Sequence, residues 1–331
     1  MTLLNVENLQ VEFDTRDGVV RPLSGVSFSV DSGQILGIVG ETGSGKSVTA
    51  QAIMGLLPFV NGRVTQGRIL FEDRDLLSLS ETDYQAIRGN RISLIPQNPM
   101  TSLDPVYRVG AQIVEGLRLH TDLSRTRAAE RAVDVMRSLG IPNAGKVFHQ
   151  YPHQLSGGLK QRIVIAMGLC ADPKLLIADE PTTALDVTVQ AQIIELFRRT
   201  TREMDLGMIM ITHDLGVIAH LCDTVAVMYA GTLVEIGPVT PVFQHPRHPY
   251  TQALLSCIPA MGMREDALEA IPGNVPGVRT YPDGCRYHPR CPEVMAVCRT
   301  VPPETTPVDD QSRVRCHLYP PDRGAVHETA G

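Results

Sequence analysis

Gly40-Glu41-Thr42-Gly43-Ser44-Gly45-Lys46-Ser47 follows directly on the apolar run Ile35-Leu36-Gly37-Ile38-Val39. The octet spells G-x-x-x-x-G-K-S, the spacing of a loop that wraps a nucleotide's phosphates. Its glycines let backbone N–H groups converge on an anion, while Lys46 would reach the β- and γ-phosphates and Ser47 would ligate Mg²⁺. The run before it reads as a buried strand, and residues 47–54 read as a helix closed by Gly55 and Pro58. Strand, loop and helix in that order set the anion at a helix N-terminus. An accidental glycine-rich turn is the bland alternative, and it loses ground because three further motifs follow in order.

Outward from this stretch, short apolar runs at 35–39, 175–178, 208–211 and 225–229 read as strands buried on both faces. Helical segments lie between several of them, which predicts a largely parallel sheet flanked by helices. Residues 3–13 and 26–30 alternate apolar and polar positions, as strands with one wet face do, and predict an added antiparallel sheet. Between about 98 and 168 the strand signal fades, while 109–119 and 126–139 show helical spacing, so a helical insertion is expected. From Pro238 onward long periodic runs vanish, and one short helix is expected over 248–256. Residues 257–331 hold 11 of the 24 prolines and read as a small loop-rich module in need of a staple. The expected domains are a nucleotide-binding domain over 1–256, with its helical subdomain at about 98–168, and a C-terminal module over 257–331.

At 331 residues and 43% hydrophobic content, one large domain and a smaller one can both bury a core. The net charge of −6 gives no basic field for nucleic acid or anionic lipid. The first residues carry acids and no basic segment, unlike a secretory signal. The longest apolar stretches, such as 163–170, fall far short of the ~18 residues that suggest a membrane span. A chain soluble by itself is expected. Seven cysteines without a signal sequence argue for thiols or metal ligands over a disulfide framework.

Lys174-Leu175-Leu176-Ile177-Ala178-Asp179-Glu180 is an apolar strand ending in two acids. Asp179 suits a direct or water-mediated hold on Mg²⁺, and Glu180 is placed to polarise a water in line with the γ-phosphate. Leu155-Ser156-Gly157-Gly158-Leu159-Lys160-Gln161-Arg162 precedes a helix that runs to about Cys170. Ser156 is a good N-cap, and Gly157 and Gly158 expose amides at the positive helix end, which makes a second anion site. Two acids at a strand end, or a capped helix after a turn, are commonplace singly. Their order after the phosphate loop is not.

Together these motifs resemble the ATP-binding subunit of an ABC transporter. The loop resembles Walker A, Asp179-Glu180 the end of Walker B, and residues 155–161 the LSGGQ signature, although Leu159-Lys160 stand before Gln161. Gln97, after Ile92-Ser93-Leu94-Ile95, resembles the Q-loop glutamine. Thr183-Ala184-Leu185-Asp186 resembles the D-loop, with Asp186 as its acid. His213 in Ile211-Thr212-His213-Asp214 resembles the switch histidine. Phe13 is the candidate for the aromatic that stacks on adenine. The resemblance spans about residues 3–255. It implies an α/β P-loop NTPase core of the ABC ATPase type, with an antiparallel β subdomain, a helical subdomain and a small loop-rich C-terminal module. It implies ATP hydrolysis with Glu180, His213 and Gln97 as catalytic residues. Phe13, Gly40, Glu41, Thr42, Gly43, Ser44, Gly45, Lys46, Ser47, Ser156, Gly157, Gly158, Gln161 and Asp186 would contact nucleotide, and Ser47, Gln97 and Asp179 would hold Mg²⁺. Two subunits would meet head to tail, each ATP lying between one Walker A and the other's signature.

Cys285-x5-Cys291-x6-Cys298-x17-Cys316 gathers four cysteines near the end. Four thiolates can hold Zn²⁺ or an iron–sulfur cluster, and the spacing does not choose. Cys170, Cys222 and Cys257 lie in apolar surroundings and read as core. His248-Pro249-Tyr250-Thr251-Gln252-Ala253-Leu254-Leu255, Ile271-Pro272-Gly273, Gly284-Cys285 and Arg290-Cys291-Pro292 resemble the C-terminal extension of dipeptide and oligopeptide importer ATPases. Residues 178–190 do so as well. This narrower resemblance implies a [4Fe–4S] cluster on Cys285, Cys291, Cys298 and Cys316, with Zn²⁺ as the alternative, serving as staple or redox sensor. It implies a heterodimer with a second ABC ATPase subunit, two membrane permease subunits and a periplasmic or extracellular peptide-binding protein, with no nucleic acid. The place of work would be the cytoplasmic face of the inner or plasma membrane, as a peripheral subunit, with the helical insertion offering a groove to the permease. The cargo would be dipeptides or oligopeptides; nickel chelates, opines and glutathione are alternatives. A non-transport ABC ATPase acting on DNA or the ribosome is the competing class. Only 57 residues separate Gln97 from Leu155, and one cassette without a basic stripe speaks against that class.

Overall fold

The computed structural model of the protein describes residues 1–97, 99–183, 185–257 and 271–320. Position 98 of the expected helical insertion, Ala184 of the D-loop-like stretch, and 258–270 and 321–331 of the C-terminal module lie outside the described residues.

Strands β1 (Thr2–Thr15) and β2 (Gly18–Asp31) precede β3 (Ile35–Val39), and the glycine-rich loop leads from β3 to helix α1 (Lys46–Ile53). β4 (Gly62–Phe71), β5 (Arg74–Asp75) and α2 (Glu81–Ile87) run on to β6 (Ile92–Ile95). A helical stretch follows: α3 (Pro99–Ser102), α4 (Val109–His120), α5 (Arg125–Ser138), α6 (Ala144–Val147) and α7 (Gly157–Leu169). Strands and helices then alternate through β7 (Leu175–Asp179), α8 (Val187–Met204), β8 (Gly207–Thr212), α9 (Leu215–Leu221) and β9 (Thr224–Tyr229). β10 (Thr232–Pro238), α10 (Val239–Gln244) and α11 (Pro249–Ser256) come next, and two short strands, β11 (Thr306–Pro307) and β12 (Arg313–Val314), lie near the end.

These elements fall into two compact units. The first holds residues 1–4, 29–35 and 70–211. In it β6, β7 and β8 pair in parallel, Ile92 opposite Leu175 and Leu175 opposite Gly207. β7 and β8 are buried almost throughout, as their unbroken apolar runs require. Helix α7 lies close on β6: a Cβ on Gly168 would stand 3.3 Å from both Ile95 Cγ1 and Ser93 Oγ. Helices α4 and α5 pack against each other and on α7. Helix α8 buries Ile193, Leu196, Phe197, Thr200 and Thr201, the single stripe of an amphipathic helix.

The second unit holds residues 5–28, 36–69 and 212 onward. In it β2, β1 and β4 lie side by side. β3 pairs in parallel with β9, Leu36 opposite Thr224. β9 pairs antiparallel with β10 across a bulge between Leu233 and Glu235. β10 pairs antiparallel with β12, Glu235 opposite Val314, and β12 with β11. The region after Pro238 is thus tied to the sheet by strands as well as loops. Two-residue strands carry no periodic signal, so sequence reading passes over them. Among the described residues no helix is long and apolar enough to cross a membrane.

Candidate functional site

In the second unit β3 delivers the chain to Gly40. A Cβ there would stand 2.1 Å from the Met228 carbonyl oxygen, so only glycine lets the loop pass. Gly45 opens α1 with a left-handed φ of 103°, and no side chain caps that helix. Ser124, Ser156, Asp186 and Asp214 by contrast cap α5, α7, α8 and α9. A glycine-opened helix without a capping side chain leaves its positive end to an incoming anion. Lys46 is buried, and its Nζ donates to the loop's own carbonyl oxygens at Gly40 (2.7 Å) and Glu41 (3.1 Å). Thr42, Gly43 and Ser47 are exposed and Ser44 is buried. Phe13 is half-buried, its ring against the Gly62 backbone, where a Cβ would stand 2.9 Å from Phe13 Cε1. His213 is exposed and precedes Asp214, whose Oδ1 accepts the Gly216 N–H at 2.8 Å.

In the first unit Asp179 ends β7 opposite Ile211 of β8. Glu180 turns the chain with a left-handed φ of 47°, uncommon for a side chain of this size. Its N–H donates to Ile211 O at 2.8 Å, which anchors the turn to the sheet. Its Oε2 accepts Gln97 Nε2 at 2.9 Å and Thr183 Oγ1 at 3.0 Å. Two residues 83 positions apart in the chain are therefore in direct contact, and the carboxylate is held in one orientation. Ser156 and Gly157 are exposed at the start of α7, with Ser156 Oγ accepting the Leu159 N–H at 3.4 Å. Exposed Asp186 caps α8 through the Val189 N–H at 2.9 Å.

Gln161 departs from the sequence-based expectation. Its side chain is fully buried, and neither Nε2 nor Oε1 finds a partner among the described residues. It lies one turn into α7, among the residues that this helix buries. Buried there, it is not exposed beside Ser156 and Gly157, as the expected nucleotide contact requires.

Sequence reading gave the loop no partner in the C-terminal region, and Arg290 supplies one. Its Nη1 and Nη2 donate to Glu41 Oε1 at 2.8 Å and Oε2 at 3.2 Å. Its side chain is 4% exposed, against 31% for Glu41. Burial works against the Arg290 charge, but hydrogen bonds to Glu41 and Tyr229 outweigh it and push its pKa up. Arg290 Nε also donates to Pro272 O at 2.8 Å, and Nη2 to Ile271 O at 3.2 Å. The Glu41 N–H donates to Tyr250 Oη at 3.0 Å. Tyr229, Tyr250 and Tyr287 pack ring on ring behind these bonds, at 4.6–5.3 Å between centroids. The available signal was one acid in an otherwise uncharged stretch before Lys46, and one arginine directly before Cys291-Pro292.

None of the seven cysteines, all of them among the described residues, forms a disulfide. Cys285, Cys291, Cys298 and Cys316 line one small enclosed cavity with His288 and Glu293. Burial pushes the Cys316 thiol up to about 11, and the other three cysteines add to the rise. Burial likewise pushes Cys285 and Cys291 up. Cys298 and Cys316 are buried, and Cys285 and Cys291 are half-buried. Among the described residues no group of three or more His, Cys, Asp or Glu is spaced to hold a single metal ion.

Comparison with known proteins agrees with these local features. The ABC transporter family model matches residues 23–183, and the model of the C-terminal region of oligopeptide/dipeptide transporters matches 234–298. The dipeptide transport ATP-binding protein DppD of Bacillus subtilis is 48% identical over 98% of this chain and 96% of its own length. The oligopeptide transport ATP-binding protein OppD of Escherichia coli is 49% identical over 92% of this chain and 90% of its own. Among solved structures, cbiO1 of Clostridium perfringens, part of an ABC transporter complex, superposes with a TM-score of 0.64 at 29% identity. It covers 74% of this chain and 91% of its own. An ATP-binding cassette solved as a dimer with ADP and Pi shares the fold, with a TM-score of 0.64 at 22% identity over 71% of this chain and 98% of its own. Relatives at this identity over nearly the whole length settle the family: the chain belongs to the ABC transporter ATP-binding proteins, in the dipeptide and oligopeptide branch.

Proposed function

We propose that this chain hydrolyses ATP to energise a membrane permease that takes up dipeptides or oligopeptides. The observation that carries the reading is α1 itself, opened by Gly45 without a capping side chain and bearing Lys46 bonded over the loop. In this reading residues 1–256 form the ATPase domain, with a helical subdomain at about 98–168, and 257–331 form the C-terminal extension. The loop amides, Lys46 and Ser47 take the phosphates, and Phe13 faces the adenine. Ser47, Gln97 and Asp179 hold Mg²⁺, which neutralises phosphate charge when bound. Glu180 accepts the proton of the attacking water, its carboxylate already oriented by Gln97 and Thr183, and His213 assists. Ser156, Gly157 and Gly158 contact the nucleotide of a second ATPase subunit, alongside the D-loop acid Asp186.

The partners in this reading are a second, different ATPase subunit, two permease subunits and a peptide-binding protein outside the membrane. The chain works at the cytoplasmic face of the membrane. A groove of about 730 Å³ lined by Arg108, Glu115, Arg118, Leu119 and His149 supports a permease contact, with Leu119 74% exposed at its rim. For the cysteines, a [4Fe–4S] cluster is favoured over Zn²⁺. Zinc draws its sulfurs to about 2.3 Å around one point, whereas a cluster spreads its four ligands. The cluster would serve as a staple of the C-terminal region or as a redox sensor.

The test is Glu180→Gln. It keeps ATP binding and loses turnover, by about 10²-fold or more, since the general base is removed. Purified protein reconstituted with its permease is assayed for Mg²⁺-dependent phosphate release and peptide uptake. Unchanged turnover in Glu180→Gln would sink the catalytic assignment.

A further inference from the structure

We propose that Arg290 is a positioning residue for the phosphate loop. By holding Glu41, it makes nucleotide affinity depend on the cysteine-bearing C-terminal region. The inference rests on the ATPase reading above and concerns a residue outside the machinery named there.

Glu41 is engaged at three points. Its N–H donates to Tyr250 Oη, its carbonyl oxygen accepts Lys46 Nζ, and its carboxylate accepts both arms of the Arg290 guanidinium. It is the one acid in the octet that would receive phosphates. An uncompensated carboxylate there repels the polyphosphate, so the guanidinium neutralises as well as orients. The pair differs from the exposed ion pairs that contribute little, because Arg290 is shielded from water and screened weakly. A planar fork meets a carboxylate through two bonds, which an ammonium cannot copy.

Arg290 owes its place to the fold around the cysteines. The Cys285 N–H donates to Cys298 O at 2.8 Å, the His288 N–H to Cys285 O at 3.0 Å, and the Arg290 N–H to Tyr287 O at 2.9 Å. Tyr287, 2% exposed, packs edge-on against Tyr229. Two further donors of the guanidinium are spent on the carbonyl oxygens of Ile271 and Pro272. Displacement of the 285–298 segment therefore moves the group that holds the loop.

The experiment measures the dissociation constant and KM for Mg·ATP, and the melting temperature with and without ATP. The proteins are wild type, Arg290→Ala, Arg290→Lys, Glu41→Gln and the Arg290→Ala/Glu41→Gln double variant. Arg290→Ala should weaken ATP binding and raise KM about tenfold, with kcat changed less, and Arg290→Lys should recover only part of the loss. The double variant should bind better than Arg290→Ala, because the uncompensated charge is gone. A lower melting temperature without ATP, combined with unchanged ATP affinity and KM, would show a purely structural pair and overturn the proposal. Should Arg290→Ala fail to fold, Arg290→Lys and Glu41→Gln carry the same comparison. Wild-type protein that binds ATP while the variants match it defeats this inference alone; wild-type protein that binds none defeats the ATPase reading with it.

Discussion

Gly157 and Gly158 stand side by side at the start of α7 for different reasons. A Cβ on Gly158 would press to 2.9 Å from Val189 Cγ1, so packing within the protomer already demands glycine. A Cβ on Gly157 meets nothing within 4 Å among the described residues, so packing within them does not demand it. If Gly157 is kept small for an approaching nucleotide, Gly157→Ala should leave stability unchanged or raise it by up to about 1 kcal/mol, because alanine favours helix. The same variant should lose most ATPase activity, and paired melting and phosphate-release measurements separate the two effects. The LSGG spacing was legible because a cap and two glycines before an apolar helix are a local signal. Gln161 was misread because burial depends on what α7 packs against, which no local pattern encodes. Arg290 was missed for a related reason: its partner lies 249 positions away.

Among the elements, α11 has an unusual cap. His248 Nδ1 accepts the Tyr250 N–H at 3.0 Å, and the His248 and Arg247 N–H groups donate to buried Glu235 at 2.9 and 2.8 Å. Burial pushes His248 down to about 3 and pushes Glu235 up. An unfolded chain takes up a proton at His248 near pH 6.5, whereas the folded one does so only near 3. Stability is therefore lost as pH falls between these values, by about 2 kcal/mol at pH 5. Glu235 acts in the opposite sense, since its raised pKa lets the folded state bind a proton first. His248→Asn keeps a capping side chain and removes the imidazole. The gap between its denaturant midpoints at pH 7 and pH 5 should be smaller than in the wild type. Helices α4, α5, α7 and α11 were legible to within a few residues because each has a periodic face, a cap or a proline start. β11 and β12 were not, since a two-residue strand exists only through its partner.

At the scale of the whole molecule, the two units interleave along the chain, with residues 1–4 and 29–35 in one and 5–28 in the other. Sequence reading divides a chain into consecutive stretches and cannot anticipate such interleaving, which arises from strand pairing. The iron and sulfide content of the purified chain is a further test. Anaerobically purified chain should carry about four iron and four acid-labile sulfide per molecule if its four clustered thiolates hold the cluster. One equivalent of zinc without iron would assign the cysteines to a single ion.

The pairing of Ile236 with Arg313, and the Arg315 N–H bond to Val234 O at 2.8 Å, bears on how the chain can be shortened. A fragment that stops after α11 keeps β10 but strips its neighbour away. The bared backbone groups become a template for another molecule's edge. Recombinant pieces trimmed to the cassette alone invite clumping and domain swapping, so the 306–315 stretch acts as a protective selvedge for the sheet.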